Sequence, residues 1–127
     1  MNYKNWIGYW LVCVSLVHTA FAAIVFNRVF FEIAARGFYN TVGDDPLTGA
    51  VVWFALFGVV LFVCGISVAS LERVTAGVVP KSIGVGLLVL SVLGVVLMPA
   101  SGFWLVIPPA LAILFRRHSM RASDAIA

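Results

Sequence analysis

The chain has 127 residues, of which 63% are hydrophobic and 10% charged, and its formal net charge is +3. A water-soluble domain carries about 25% charged residues, so this composition excludes an ordinary soluble globule. The basic residues flank apolar segments and form no stripe, which argues against a nucleic-acid partner. The sequence therefore predicts an integral membrane protein whose main partner is the lipid bilayer.

Four apolar segments follow one another along the chain, at residues 6–26, 48–69, 80–98 and 101–115. About 20 helical residues cross the hydrocarbon core of a bilayer. We therefore predict an all-α fold, a four-helix membrane bundle that forms a single transmembrane domain over residues 1–127. Short loops rich in Lys and Arg stay in the cytoplasm. Both termini are predicted to be cytoplasmic, because they and the second loop contain Lys4, Arg73, Lys81, Arg116, Arg117 and Arg121.

The first segment also resembles a secretory signal, because Lys4 precedes an apolar run that ends in small residues. An uncleaved span is favoured, since His18 interrupts the apolar run and a second apolar segment follows soon after. His18 lies near the middle of this span, where an ionisable side chain is costly and therefore informative.

Two interpretations of His18 remain open. It lies at the estimated depth of Ser91 and of the Pro108-Pro109 pair, and each proline leaves one backbone carbonyl without its helical donor. The favoured interpretation is structural, with a neutral imidazole donating to Trp104, Leu105 or Ser91 across helices. The alternative is an acid–base or ligand-binding group in an internal cavity.

The outer loop, residues 27–47, is predicted to begin as an amphipathic helix. Arg28, Glu32 and Arg36 recur every four residues and can form ion pairs on one face. Gly37 is the expected end of this helix. The remainder is expected to turn through Asp44, Asp45 and Pro46.

Small residues recur at helical spacing in three spans and predict close helix packing inside the bundle. They are Ser15, Thr19 and Ala23, then Gly58, Gly65 and Ala69, then Gly84, Ser91 and Gly94. The fourth segment is short, because residues 102–115 extend only about 21 Å at 1.5 Å per residue. The turn at residues 99–102 is thus predicted either to lie below the outer surface or to sit in thinned bilayer.

A binding mouth is predicted at the outer end of the bundle. Its candidate ligand-binding residues are Trp53, Ser91, Ser101, Trp104, Glu32, Asp44 and Asp45, with His18 as the candidate catalytic residue below them. Cys13, Cys64 and His18 are too few to complete a tetrahedral zinc site, so no metal is predicted. No cofactor is predicted either, since no nucleotide-binding glycine loop or nucleophile motif occurs.

The string from Pro99 to Leu105, the Pro108-Pro109 pair, and the regions of His18 and Trp53 resemble a family of small bacterial four-helix membrane proteins without an assigned activity. The resemblance covers nearly the full length and implies a multi-pass inner-membrane protein. More remotely, the layout is similar to DoxX-type proteins and to membrane-embedded sterol isomerases. Those isomerases place several acidic residues and a histidine in one cavity, whereas the predicted spans here offer no acid to match His18.

Three functions follow as hypotheses. The leading one is binding of a small apolar ligand or a membrane partner at the outer mouth of the bundle. The second is an isomerase-like enzyme that acts on a lipophilic substrate with His18 as its acid–base group. The third is a homo-oligomeric transporter or channel subunit whose small-residue stripes form the subunit contacts.

Overall fold

The computed structural model describes residues 5–116, and these residues are helical without any strand. The elements are α1 (Ile7–Val25), α2 (Asn27–Ala35), α3 (Pro46–Val74), α4 (Lys81–Leu97), a 3-10 helix (Gly102–Val106) and α5 (Ile107–Phe115). The all-α prediction is confirmed for this part of the chain. Lys4, Arg117 and Arg121, which entered the prediction of orientation, lie outside the described residues.

Two of the described helices, α1 and α3, are long and apolar enough to cross a membrane. α3 has 29 residues and exceeds the predicted segment 48–69 at both ends. α4 is apolar but has only 17 residues, which extend about 25 Å. The fourth predicted segment is divided, because a 3-10 helix precedes α5 and both prolines fall in the first turn of α5.

Antiparallel packing joins α1 to α3 through glycines. A Cβ at Gly8 would lie 2.2 Å from the backbone nitrogen of Ala69, and one at Gly65 would lie 2.8 Å from that of Val12. The two helix backbones can therefore approach this closely only because Gly8 and Gly65 have no side chain.

A second antiparallel pair is formed by α4 with α5 and the 3-10 helix. Gly84 faces Ile113, where an added Cβ would lie 2.9 Å from a side-chain carbon, and Gly94 faces the Phe103 ring. The predicted packing role is thus confirmed for Gly58, Gly65, Ala69, Gly84, Ser91 and Gly94, all of which are buried. In α1, Ser15 is buried as predicted, whereas Thr19 and Ala23 are exposed. The prediction was wrong for Ala23, whose neighbour Ala22 is buried instead.

The core lies where α1 meets the second pair, because α1 also contacts α5 and the 3-10 helix. Its buried apolar members are Ile7, Leu11, Val14, Leu61, Val68, Val79, Leu87, Val106, Ala110 and Ile113. Many large apolar side chains on the outer surfaces of α1, α3 and α4 remain exposed, Ile24, Val60 and Leu97 among them.

Two helices end in left-handed residues. α2 ends at Gly37, with φ +87°, and the Phe38 N–H bonds to the Ile33 carbonyl; the predicted helix end is confirmed. α3 ends in the same way, with a bond of 2.6 Å from the Gly77 N–H to the Glu72 carbonyl. There, however, the first left-handed residue is Ala76, with φ +53°, at a position that usually holds glycine.

Ala76→Gly is expected to raise the free energy of unfolding by about 1 kcal/mol. A left-handed residue with a Cβ costs about 1–2 kcal/mol, and the extra freedom that glycine gives the unfolded chain offsets part of this gain. Thermal unfolding in detergent measures the change. Ala50→Gly, on an exposed position inside α3, is the control and should destabilise by about 1 kcal/mol. A destabilised Ala76→Gly protein would contradict the prediction.

Candidate functional site

His18 projects from α1 towards α3 and is half-buried. Its Nε2 lies 2.9 Å from the backbone carbonyl oxygen of Phe54. The imidazole stacks on the Phe54 ring, with centroids 4.2 Å apart, and meets the Phe57 ring edge-on at 5.6 Å. The predicted partners Trp104, Leu105 and Ser91 are therefore not the ones His18 uses.

Gly58 provides the space for this arrangement. A Cβ at Gly58 would lie 2.6 Å from the Thr19 hydroxyl oxygen and 3.0 Å from Cδ2 of His18. The Thr19 hydroxyl donates to the Ser15 carbonyl at 2.9 Å within α1. Gly58, one helical turn after Phe54, thus lets the edge of the His18 ring that carries Cδ2 and Nε2 approach the α3 backbone.

An aromatic cluster that includes His18 joins three elements. Its members are His18, Phe21 and Phe26 of the first part of the chain, Phe54 and Phe57 of α3, and Phe103 of the 3-10 helix. The Phe103 and Phe57 ring centroids are 6.0 Å apart. Because Phe57 contacts both Phe103 and His18, the 3-10 helix begins at the level of His18.

The prolines of α5 leave the Leu105 carbonyl without a helical donor, as expected, but a different side chain binds it. The indole Nε1 of Trp10 donates to the Leu105 oxygen at 2.8 Å. The Trp104 carbonyl accepts from the Ile107 N–H at the end of the 3-10 helix. Both carbonyls predicted for His18 are therefore occupied.

The other predicted ligand-binding residues lie at separate places. The Ser91 hydroxyl is fully buried and donates to the Leu87 carbonyl of its own helix at 2.6 Å. The Trp104 indole donates to the Pro99 carbonyl at 2.9 Å and thereby closes the α4–3-10 turn. The buried Ser101 hydroxyl oxygen has no partner among the described residues, and Trp53 is 74% exposed on α3.

The acidic candidates lie in the connection between α2 and α3. Glu32 is exposed and forms a loose ion pair with Arg36, at 3.9 Å. Asp44 and Asp45 line a shallow open depression of about 710 Å³. Its lining residues are Arg36, Tyr39, Asn40, Thr41, Val42, Gly43, Asp44, Asp45 and Pro46. His18 and the aromatic cluster are not part of this lining.

Asp45 caps the first turn of α3. Its carboxylate accepts the Thr48 hydroxyl at 2.5 Å and the backbone N–H groups of Thr48 and Leu47 at 3.2 Å. The Thr48 hydroxyl bond, followed by the two backbone bonds, lowers the pKa of Asp45 below its ordinary value of 3.8. This cap, followed by Pro46 at the first helical position, explains why α3 starts two residues before the predicted segment.

The stabilising contribution of Asp45 is expected to depend on pH. Because folding lowers its pKa, the contribution is fully present above 3.8 and is lost as the pH falls through the folded-state pKa. Asp45→Asn retains a capping oxygen but cannot titrate. The difference in melting temperature between native protein and Asp45→Asn should be constant near neutral pH and shrink in acid. Asp44→Asn is the control, because it removes one negative charge from a residue that does not cap α3. A melting-temperature difference between native protein and Asp45→Asn that grows in acid would contradict the prediction.

Glu72 is a buried acidic residue that the sequence pattern did not single out. It lies near the end of α3 with no exposed surface, although it is an acidic residue. One carboxylate oxygen accepts the Gly8 N–H at 2.9 Å, and the other binds the Arg116 guanidinium at 2.9 Å. Arg116 also donates to the Gly77 carbonyl at 2.5 Å. The start of α1, the end of α3 and the end of α5 therefore meet at one end of the molecule, here called the basal end.

A signal for Glu72 is present in the sequence. Gly58, Gly65 and Glu72 are spaced seven residues apart, so Glu72 continues the face of α3 that packs on α1. The predicted span stopped at residue 69 and excluded it. The first turn of α1 has no capping side chain of its own, and Glu72 supplies the missing acceptor from another helix.

No group of three or more His, Cys, Asp or Glu side chains within residues 5–116 could hold a metal ion. Cys13 is exposed and Cys64 half-buried, and both are free. A family model described as "Family of unknown function (DUF6463)" matches residues 2–120. No curated protein and no solved structure matches the chain.

Proposed function

The chain belongs to the DUF6463 family, whose function is unknown, and from its own residues we propose a multi-pass inner-membrane protein that binds a small lipophilic ligand at the aromatic cluster around His18. The observation that carries this proposal is the cluster itself, which brings one histidine and five phenylalanine rings together in an apolar helical protein. Aromatic and other apolar side chains with few polar groups are typical of the residues that line small-molecule sites.

Membrane insertion is supported by the exposed apolar surface. Val60, Ile24 and Leu97 are 63%, 72% and 77% exposed, and no charged residue occurs between Pro46 and Leu71 of α3. Contiguous apolar surfaces of this kind are unfavourable in water and mark contact with lipid or another protein. We propose that α1, α3, α4 and the 3-10 helix with α5 form the four spans, with the lipid bilayer as the main partner.

The orientation follows from the charges. The basal end carries Arg73, Lys81 and Arg116, whose only acidic neighbour there among the described residues, Glu72, is buried. The opposite end, with the α2–α3 connection, carries two arginines together with Glu32, Asp44 and Asp45. By the positive-inside rule we place the basal end, and both termini, in the cytoplasm.

The hairpin of α4, the 3-10 helix and α5 is shorter than the pair of α1 and α3. α4 extends about 25 Å, whereas α3 extends about 43 Å. Phe103 lies close to the hairpin tip, and its ring contacts the Phe57 ring, which in turn contacts the His18 ring. We therefore place the tip below the outer membrane surface, with the cluster and the Ser101 hydroxyl at the base of a recess that opens outward or towards lipid.

Binding is favoured over catalysis because Glu72, the buried acid of the described residues, lies far from His18. Glu72 binds the N–H of Gly8, ten residues before His18 in the same helix, which corresponds to about 15 Å. Both of its oxygens are already engaged. An isomerase-like reaction needs an acid and a base near one substrate, and His18 would have to supply both.

An oligomeric transporter is the less favoured alternative. The small residues that could form subunit contacts face other helices of the same chain: Gly8 and Gly65 lie between α1 and α3, and Gly84 lies against α5. A site within one chain does not require a homo-oligomer.

Two measurements test the proposal. In a Cys13→Ala, Cys64→Ala background, a membrane-impermeant maleimide should label Asp44→Cys from outside the cell and Lys81→Cys only after permeabilisation. For ligand binding, a long-chain alkanol carrying a photoreactive diazirine should label residues near Phe57 and Phe103, and excess unlabelled alkanol should suppress this labelling. Labelling that is spread evenly over α3, including the exposed Phe62, and that does not saturate would refute the site.

A further inference from the structure

The hydrogen bond from His18 to α3 determines whether the other ring nitrogen, Nδ1, is a hydrogen-bond donor or acceptor. We infer that the ligand of the aromatic cluster is a lipophilic molecule with a hydroxyl group, and that this hydroxyl donates a hydrogen bond to Nδ1 of His18. The inference rests on the proposed function, since it specifies the chemical class of ligand for the same site.

The tautomer of His18 follows from its partner. A backbone carbonyl can only accept a hydrogen bond, so the Nε2 atom that lies 2.9 Å from the Phe54 oxygen carries the proton. Among residues 5–116, no carboxylate lies within ion-pairing distance of the imidazole. In the tautomer that carries its proton on Nε2, Nδ1 has a free lone pair and acts as an acceptor.

The orientation of the ring places Nδ1 away from α3. The edge formed by Cδ2 and Nε2 faces α3, because Nε2 binds Phe54 and Cδ2 lies next to Gly58. Nδ1 is on the other edge of the imidazole. The ring bonds to α3 through Nε2, and no described residue donates a hydrogen bond to Nδ1. An acceptor held in apolar surroundings favours a ligand that brings a donor.

The other side chains of the cluster favour a ligand whose main part is apolar. The rings of Phe54, Phe57 and Phe103 offer apolar faces and edges without further hydrogen-bonding groups. A long-chain alcohol, a sterol or a phenolic ring has the required combination of an apolar body and one O–H donor. A ketone, an ether or a quinone has acceptors only and cannot bond to Nδ1.

The test compares two competitors, one with the O–H donor and one in which a methyl group replaces the hydroxyl hydrogen. A long-chain alkanol carrying a diazirine labels the native protein, and unlabelled alkanol or its methyl ether competes. One hydrogen bond contributes about 0.5–1.5 kcal/mol, so the alkanol should compete about two- to twelvefold better than the ether. Equal competition by the two compounds would overturn the inference while leaving the site itself in place.

Two substitutions separate the two nitrogens of His18. In His18→Asn, the amide oxygen can occupy the position of Nδ1, but the bond to Phe54 is lost. In His18→Gln, the amide nitrogen can reach the Phe54 carbonyl, but no acceptor remains at the position of Nδ1. We expect the Asn variant to keep the preference for the alkanol and the Gln variant to lose it while remaining thermally stable.

The outcomes distinguish the two proposals. Saturable labelling in the native protein, together with an alkanol preference that disappears in His18→Gln, supports both. A preference that persists unchanged in His18→Gln overturns the role of Nδ1 and leaves the binding site. Absence of saturable labelling by the alkanol in native protein overturns the site and the inference together.

Discussion

Arg116→Ala is expected to lower the free energy of unfolding by about 3–5 kcal/mol, which makes it one of the most damaging substitutions in the chain. Glu72 has no exposed surface and is bonded to Arg116 at 2.9 Å. Removing the cation leaves a buried carboxylate with only the Gly8 N–H as a partner. The cost of an unpaired buried charge is far larger than the net gain from the pair itself.

A double substitution separates this explanation from lost packing. Glu72→Gln removes the buried charge but keeps the shape and one acceptor oxygen, so Glu72→Gln combined with Arg116→Ala should be more stable than Arg116→Ala alone. Equilibrium unfolding in mixed detergent micelles measures each variant. Lys81→Ala, at an exposed cation of the same end, is the control and should change stability by less than about 0.5 kcal/mol. A double variant as unstable as the single one would contradict the electrostatic explanation.

Gly8→Ala is expected to destabilise the protein by about 3 kcal/mol, although alanine is the better helix former. The new methyl group would lie 2.2 Å from the Ala69 backbone nitrogen and 2.4 Å from its Cα. Backbone atoms cannot move aside as a flexible side chain does, so α1 must shift away from α3. The same shift lengthens the bond between the Gly8 N–H and Glu72.

Gly86→Ala is the matched control for this prediction. Gly86 also lies inside an apolar helix, but nothing is within 4 Å of a Cβ added there. The substitution should be neutral or should stabilise by up to about 1 kcal/mol, as helix propensity predicts. Thermal unfolding of both variants in the same detergent measures the two changes in stability. An equal effect of the two substitutions would show that close packing at Gly8 is not the cause.

Both predictions concern the basal end, where the buried ion pair and the closest helix contact are adjacent. Glu72 joins α1, α3 and α5 there through Gly8 and Arg116. The aromatic cluster lies about 15 Å further along α1, where rings rather than backbones meet. We expect the basal end to fix the relative positions of the helices, and the proposed ligand to occupy the half that contains the aromatic cluster.

Much of the secondary structure followed from local chemistry. Gly37 ends α2 because the chain must adopt φ +87° there, and Asp45 with Pro46 begins α3 because it satisfies free N–H groups. The stripe of Gly58 and Gly65 correctly predicted where α3 packs. These features depend on residues within a few positions of one another, so they can be read without the tertiary fold.

Partners that lie far apart in the sequence could not be predicted in the same way. The free carbonyl of Leu105 was expected from Pro109, but its donor is Trp10, 95 residues away. His18 was expected to need an acceptor and has one, but in α3 rather than in the fourth segment. Which of several equivalent groups is reached depends on how the helices are paired, and apolar periodicity does not specify that pairing.

The helical and apolar character of the chain, the course of its two long helices and the position of His18 within them follow from the sequence alone. The burial of Glu72, its pairing with Arg116, and the one bonded and one free nitrogen of His18 depend on the tertiary fold. The reason is physical: helix formation is governed by contacts three or four residues apart, whereas burial of a charge or a lone pair depends on which distant backbone and side chains come to surround it.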